Sequence, residues 1–115
     1  MRLKSEIWVS AYLRRCQAEA VPVVVVRRGN AEAGAIFISV DRLDGTACLY
    51  GPAPAGLAGS GMDRRWVQCL GDRIATPQDV SIYLARQIEF DSDLWIIEVE
   101  DRTGRHFLGN DLVEA

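Results

Sequence analysis

Four consecutive valines, Val23 to Val26, follow Pro22 and run into Arg27 and Arg28. β-Branched side chains are stiff at χ1 and favour strand over helix, and a proline pushes the residue before it out of the α region. A preceding helix must therefore stop near Pro22, and a strand must follow it. The run has no polar alternation, which predicts a strand covered on both faces, or one whose open valine face is covered by another subunit. The turn from Gly29 to Gly34 has glycine at each end, where positive φ can be taken up. After it, Ile36, Ile38 and Val40 alternate with Phe37, Ser39 and Asp41, the period of a strand. Val21 to Asp44 thus reads as a β-hairpin in the core of a small α+β domain. Asp44-Gly45 then turns the chain into Ala47 to Tyr50, so three antiparallel strands in a meander are expected.

The flanking elements follow from helical spacing and turn chemistry. Val9, Leu13, Cys16 and Ala20 recur on one stripe that Trp8 and Tyr12 widen, which predicts a helix from Ser5 to Ala20. Gly51 to Gly61 is rich in glycine and proline and reads as a surface loop. Arg64 to Leu70 reads as a fourth strand. Thr76-Pro77-Gln78-Asp79 is a helix start with Thr as N-cap, Pro at N1 and an acid at N3, and Val80, Tyr83, Leu84, Gln87 and Ile88 carry the helix on to Phe90. Leu94 to Asp101 is a fifth strand with Trp95, Ile97 and Val99 on one face and Glu98 and Glu100 on the other. Thr103-Gly104 turns it back into a short strand, His106 to Leu108.

The order of these elements lacks the βαβ repetition of a parallel sheet. The expected fold is α+β: a mostly antiparallel five- or six-stranded sheet with two helices packed on one face, all in one domain over residues 1–115. The uncovered face is then either polar, as Glu98, Glu100, Ser39 and Asp41 suggest, or buried in a homodimer, as the valines suggest.

A chain of 115 residues with 49% hydrophobic and 25% charged residues fits one globular domain and lies far from the composition of disorder. Three dispersed cysteines, Cys16, Cys48 and Cys69, form no C-x-x-C pair and read as small core residues in a reducing compartment. The longest apolar run, Ala20 to Val26, is interrupted by Pro22, and no apolar segment follows Arg2 and Lys4, so neither membrane insertion nor export is expected. A cytoplasmic location follows. The net charge of −3 opposes nucleic-acid binding, which needs a basic surface. It divides into +4 over residues 1–28, −1 over 29–77 and −6 over 78–115. No cofactor is expected: the glycines 56, 59 and 61 lack both the dinucleotide spacing and the Lys-Ser/Thr of a phosphate loop.

No motif nominates a catalytic residue, so whether the chain is an enzyme stays open. His106 is the one histidine, and of the carboxylates nearby only Glu98 and Glu100 could converge, so no metal site is expected. What remains is arginine. Arg27 and Arg28 end the first strand, and Arg64 and Arg65 begin the fourth beside Trp66. One guanidinium from each pair could meet across the sheet, and with the amides of Gly29, Asn30 and Gly34 would make a site for phosphate or carboxylate, His106 completing it.

The runs RLKSEIWVSAYLRRC, VVRRGNAEAGAIFI, GPAP, RRW and FDSDLWIIEVEDRTGRHF together resemble a family of small bacterial proteins catalogued only as a domain of unknown function. The resemblance spans nearly the whole chain and implies no activity. The family pattern shows an acid after Arg-Arg-Gly, where this chain has Asn30. Two functional expectations follow from the residues: a non-enzymatic binding or interaction module, or an enzyme or sensor holding a small anionic ligand at the arginine-lined turn.

Overall fold

A computed structural model of the chain describes residues 2–54, 64–71 and 74–113. The elements run α1 (Ser5–Ala18), β1 (Val23–Arg27), β2 (Ile36–Asp41), β3 (Ala47–Pro52), β4 (Trp66–Gln68), α2 (Pro77–Phe90), β5 (Trp95–Glu100) and a 3₁₀ turn at Gly109–Asp111. The strands form one sheet in the order β1-β5-β2-β3-β4. Three of its ladders are antiparallel and one, β2 with β5, is parallel. The α+β class and the mostly antiparallel sheet are as the sequence predicts, with five strands. The loop expected at Gly51 to Gly61 falls largely on residues 55–63, outside the described residues, while Gly51 and Pro52 end β3.

The hairpin does not form. β5 lies between β1 and β2, so the meander runs β2-β3-β4 and the first two strands never pair. The reason lies in what each apolar run can bury. β5 carries Trp95, Ile96, Ile97 and Val99, all buried, and its larger side chains remove more apolar area from water than valines do. The interior position goes to β5 and the valines go to the edge. β1 therefore alternates after all: Val24 and Val26 are each 56% exposed, whereas Val23 and Val25 pack on the core.

Nor do both helices share a face. Val9, Tyr12 and Cys16 of α1 pack with Ile36, Ile38, Val40, Ile97 and Val99, whereas Val80 and Leu84 of α2 pack with Phe37, Ala47, Leu49 and Ile96. Consecutive strand residues point to opposite faces, so the helices sandwich the sheet. Both faces of β2 and β5 are apolar, and each needs a cover.

The expected sixth strand is absent among the described residues. Phe107 has a left-handed backbone, φ 58°, which breaks an extended run. The segment instead adds Phe107, Leu108 and Leu112 to the α1 layer, and the Val113 amide donates to the Trp66 carbonyl at 2.7 Å. That contact and the Trp66–Leu112 bridge lie on the outer side of β4 at Trp66, while among the described residues β1 pairs with β5 alone. Asp101 pins the turn that precedes it, accepting from the Arg105 amide at 2.8 Å and the Thr103 hydroxyl at 2.7 Å. Hydrogen bonds from Arg105 hold its carboxyl well below the usual range.

The start of α2 is a full capping box. The Asp79 amide donates to the Thr76 hydroxyl at 3.1 Å, and the Thr76 amide donates to the Asp79 carboxylate at 2.9 Å. Thr76→Ala removes the cap and is expected to cost about 1 kcal/mol, lowering the melting midpoint by about 4 °C in a thermal scan.

Candidate functional site

The first turn of α1 has no side-chain cap, and the 29–34 turn supplies what is missing. The amides of Ser5 and Glu6 donate to the carbonyls of Glu32 and Ala31 at 3.1 and 2.9 Å. The turn is itself held internally. The Asn30 side-chain carbonyl accepts the amides of Glu32 and Ala33, both at 3.0 Å. The Asn30 amide donates to the Asp93 carbonyl at 2.8 Å, and the Asn30 carbonyl accepts the Gly34 amide and the Trp95 indole. Four amides that could have faced an anion are thus already committed.

The arginine pairs do not meet across neighbouring strands. β1 and β4 are the two edges of the sheet, four strand spacings or about 19 Å apart. Arg27 donates to the Ser92 carbonyl at 2.9 Å, and its Nε is buried with no partner. Arg28 meets Glu6 at 3.3 Å and lies over the Trp95 ring at 5.0 Å. Arg65 pairs with Asp111 at 2.9 Å, and Trp66 is buried against Trp8 with ring centroids 4.9 Å apart. His106 Nδ1 accepts the Leu108 amide at 2.9 Å, its ring meets Tyr50 edge-on, and burial lowers its pKa.

Arg64 is the unusual one. It is 8% exposed, donates to the Leu3 carbonyl at 3.1 Å and to the Ser5 hydroxyl at 3.0 Å, and leaves its Nε without a partner. Desolvation, with Arg2 adding to it, lowers its pKa to about 10. Ser5 passes the contact on by donating to the Gly34 carbonyl at 2.7 Å. The structure therefore gathers Arg28, Gly29, Asn30, Gly34 and Arg64 around the start of α1, and gives Arg65 and His106 other neighbours. What this group does chemically is dock a helix onto a turn. Ser5→Ala strips a buried guanidinium and a buried carbonyl of one partner each, and is expected to cost about 2 kcal/mol, read in denaturant unfolding.

A second feature is a surface that α2 leaves open. Beside α2 runs a groove of about 280 Å³ with Val26 on one wall, Ile96, Ser39 and Glu98 on its floor and Ile88 on the other wall. Strand register carries the floor straight across the sheet, Val24 opposite Glu98 and Glu98 opposite Ser39. Asp41 lines the same groove, and Glu100 stands beside Asp41 in the register. Among the described residues no cation forms an ion pair with Asp41, Glu98 or Glu100. The alternation of β2 and β5 already marks these residues as a polar face. That exposed valines border it follows only from the edge position of β1.

Among the described residues no helix is long and apolar enough to cross a membrane, and no three His, Cys, Asp or Glu side chains cluster as metal ligands would. A family model described as "Protein of unknown function (DUF1491)" matches residues 3–109. The crystal structure of a DUF1491 family protein from Caulobacter crescentus CB15 is similar at a TM-score of 0.80 and 37% identity, covering 98% of this chain and 99% of that one. A solution structure of an A. tumefaciens protein is similar at 0.79 and 36% identity, covering 100% of this chain and 98% of that one. No curated protein matches.

Proposed function

The chain belongs to the DUF1491 family of proteins of unknown function, and from that premise we propose that it works by binding a partner protein rather than by turning over a substrate. The contact surface is the open half of the α2 face. One observation carries this reading: Val24 and Val26, each 56% exposed, stand on an edge strand beside carboxylates that no described cation pairs with. Exposed apolar residues grouped at a groove mark an interaction site more often than isolated ones do. The reactive side chains point the same way. Burial pushes the Cys16 thiol up, the Cys69 thiol up to about 11 and the Tyr12 and Tyr50 hydroxyls up as well, so the thiolate and phenolate forms are disfavoured.

The test is a photo-crosslinking residue placed at Ser81, on the groove side of α2, in the cells that make the protein. A discrete adduct that disappears in the Val24→Asp/Val26→Asp double variant supports the reading. An adduct pattern unchanged by the double variant, or no adduct at all, counts against it.

The second reading, a small anion at the arginine-lined turn, draws on the Arg64 guanidinium, which is buried against a carbonyl and a hydroxyl. Inorganic phosphate titrated into the labelled protein would favour this reading by shifting the amides of Ser5, Asn30 and Gly34, and would count against it by leaving them in place.

A further inference from the structure

Building on the docking reading, we propose that the open groove seats a basic amphipathic helix, about four turns long, supplied by another protein.

The space is the first argument. Five strands at about 4.8 Å spacing make a face about 19 Å wide between its edge strands, and a helix with its side chains is about 10 Å across, so one helix covers half of it. The α1 face is completed by Phe107, Leu108 and Leu112 beside the helix. Among the described residues the opposite face has α2 alone, seated over Phe37, Ala47 and Leu49 of β2 and β3 and reaching Ile96 at the start of β5. What is left, over β1 and the Glu98 end of β5, is about one further helix width.

The walls are the second. The side of α2 that borders the groove presents Pro77, Ser81, Ala85 and Ile88, a ridge at helical spacing. Ser81 and Ala85 are exposed and small, and small residues on a ridge let a second helix come close. The other wall is the valine pair of β1. A partner strand would use the free edge of β1 and leave this floor empty, whereas a helix lying along α2 fills it.

Charge decides the partner's chemistry. Glu98 and Asp41 line the groove, Glu100 flanks them, and no described cation forms an ion pair with any of the three. A second copy of this chain laid face to face would set these carboxylates against their own images, and like charges at a contact are strongly unfavourable. A helix with leucine-like residues at i, i+3, i+4 and i+7 and Lys or Arg along one flank satisfies both walls and floor. Its long basic side chains reach the carboxylates while their stems cover the valines.

The experiment uses the full chain, isotope-labelled, and three probes: an 18-residue Leu/Lys peptide patterned as an amphipathic helix, its Leu/Glu counterpart, and spermine. The Leu/Lys peptide is expected to shift the amides of Val24, Val26, Ser81, Ala85 and Glu98, and the Leu/Glu peptide is not. Glu98→Gln with Glu100→Gln should weaken binding about ten-fold, with the salt dependence reduced. Ala85→Trp, a substitution at an exposed position, should block the groove and abolish binding while the melting midpoint stays put. Equal binding of the two peptides in the groove would overturn the basic partner and leave the docking reading intact. Shifts produced by spermine alone, or by raising the protein concentration without peptide, would overturn the helix in favour of a small cation or a second copy. A Ser81 cross-link that never forms in the otherwise unaltered chain, or that persists unchanged in the Val24→Asp/Val26→Asp variant, would instead remove the docking reading itself, whatever the peptides do.

Discussion

Gly29→Ala is expected to lower the unfolding free energy by about 3 kcal/mol or more, at the upper end of what forcing atoms into a packed site costs. A Cβ at this position would run into the Asp93 carbonyl oxygen and stand 2.6 Å from the Leu94 carbonyl carbon. Both are backbone atoms, so no rotamer change relieves the clash. Asp93 and Leu94 cannot retreat either, because the Asn30 amide holds the Asp93 carbonyl at 2.8 Å and the Trp95 amide is held by Ala35 at 2.7 Å. Either the turn lifts off β5 or β5 shifts against β1 and β2. Denaturant unfolding should show a large fall in midpoint at unchanged slope. Gly45→Ala makes the comparison: its φ of 88° strains an alanine, but nothing lies within 4 Å of the added carbon. Equal losses at the two positions would mean that close approach is not what Gly29 is for.

Trp95→Ala should cost a further-reaching 3 to 5 kcal/mol, about the range for removing a buried aromatic side chain. Trp95 is 1% exposed in the α1-side core, its indole donates to the Asn30 carbonyl at 2.8 Å, and Arg28 covers its ring. The substitution opens a cavity between β5 and α1 and frees the turn that docks α1. Trp95→Phe keeps most of the volume and loses only the indole donor, so it should retain well over half of the stability that alanine loses. The two melting midpoints together separate packing from the hydrogen bond. If phenylalanine proves as damaging as alanine, the Asn30 contact carries more than the ring.

Local signals proved reliable where the physics is short-range. The capping box at Thr76 and Asp79, the stop after α1 and the alternation of β2 are all readable within a few residues. Strand order is not of that kind. Val23 to Val26 and Trp95 to Val99 look alike as apolar runs, and only the competition between them for paired edges decides which is interior. The same blindness placed both helices on one face, since Phe37 and Ile96 had no visible claim on a second helix. At the candidate site Gly29 and Gly34 stood out as glycines, and they matter, although the reason is the closeness of Asp93 rather than positive φ. The sequence suggests a ligand for Arg64 and Arg28; Ser5 and Glu6, which they touch, carry no signal beyond their place at a helix start. The open groove could be found only after the edge strand was known, because exposure of Val24 and Val26 is a property of the neighbour they lack.

The two borders of the sheet set a limit on how copies of this chain could polymerise. A fibre built by strand addition needs two sticky borders on every unit, one to receive and one to offer. Among the described residues the β4 border is met at Trp66 by the chain's own Leu112 and Val113, whereas no strand pairs with the outer side of β1. Strand addition confined to β1 would join two chains and stop there. A chain shortened before Leu112 would lose that contact and present a second open border.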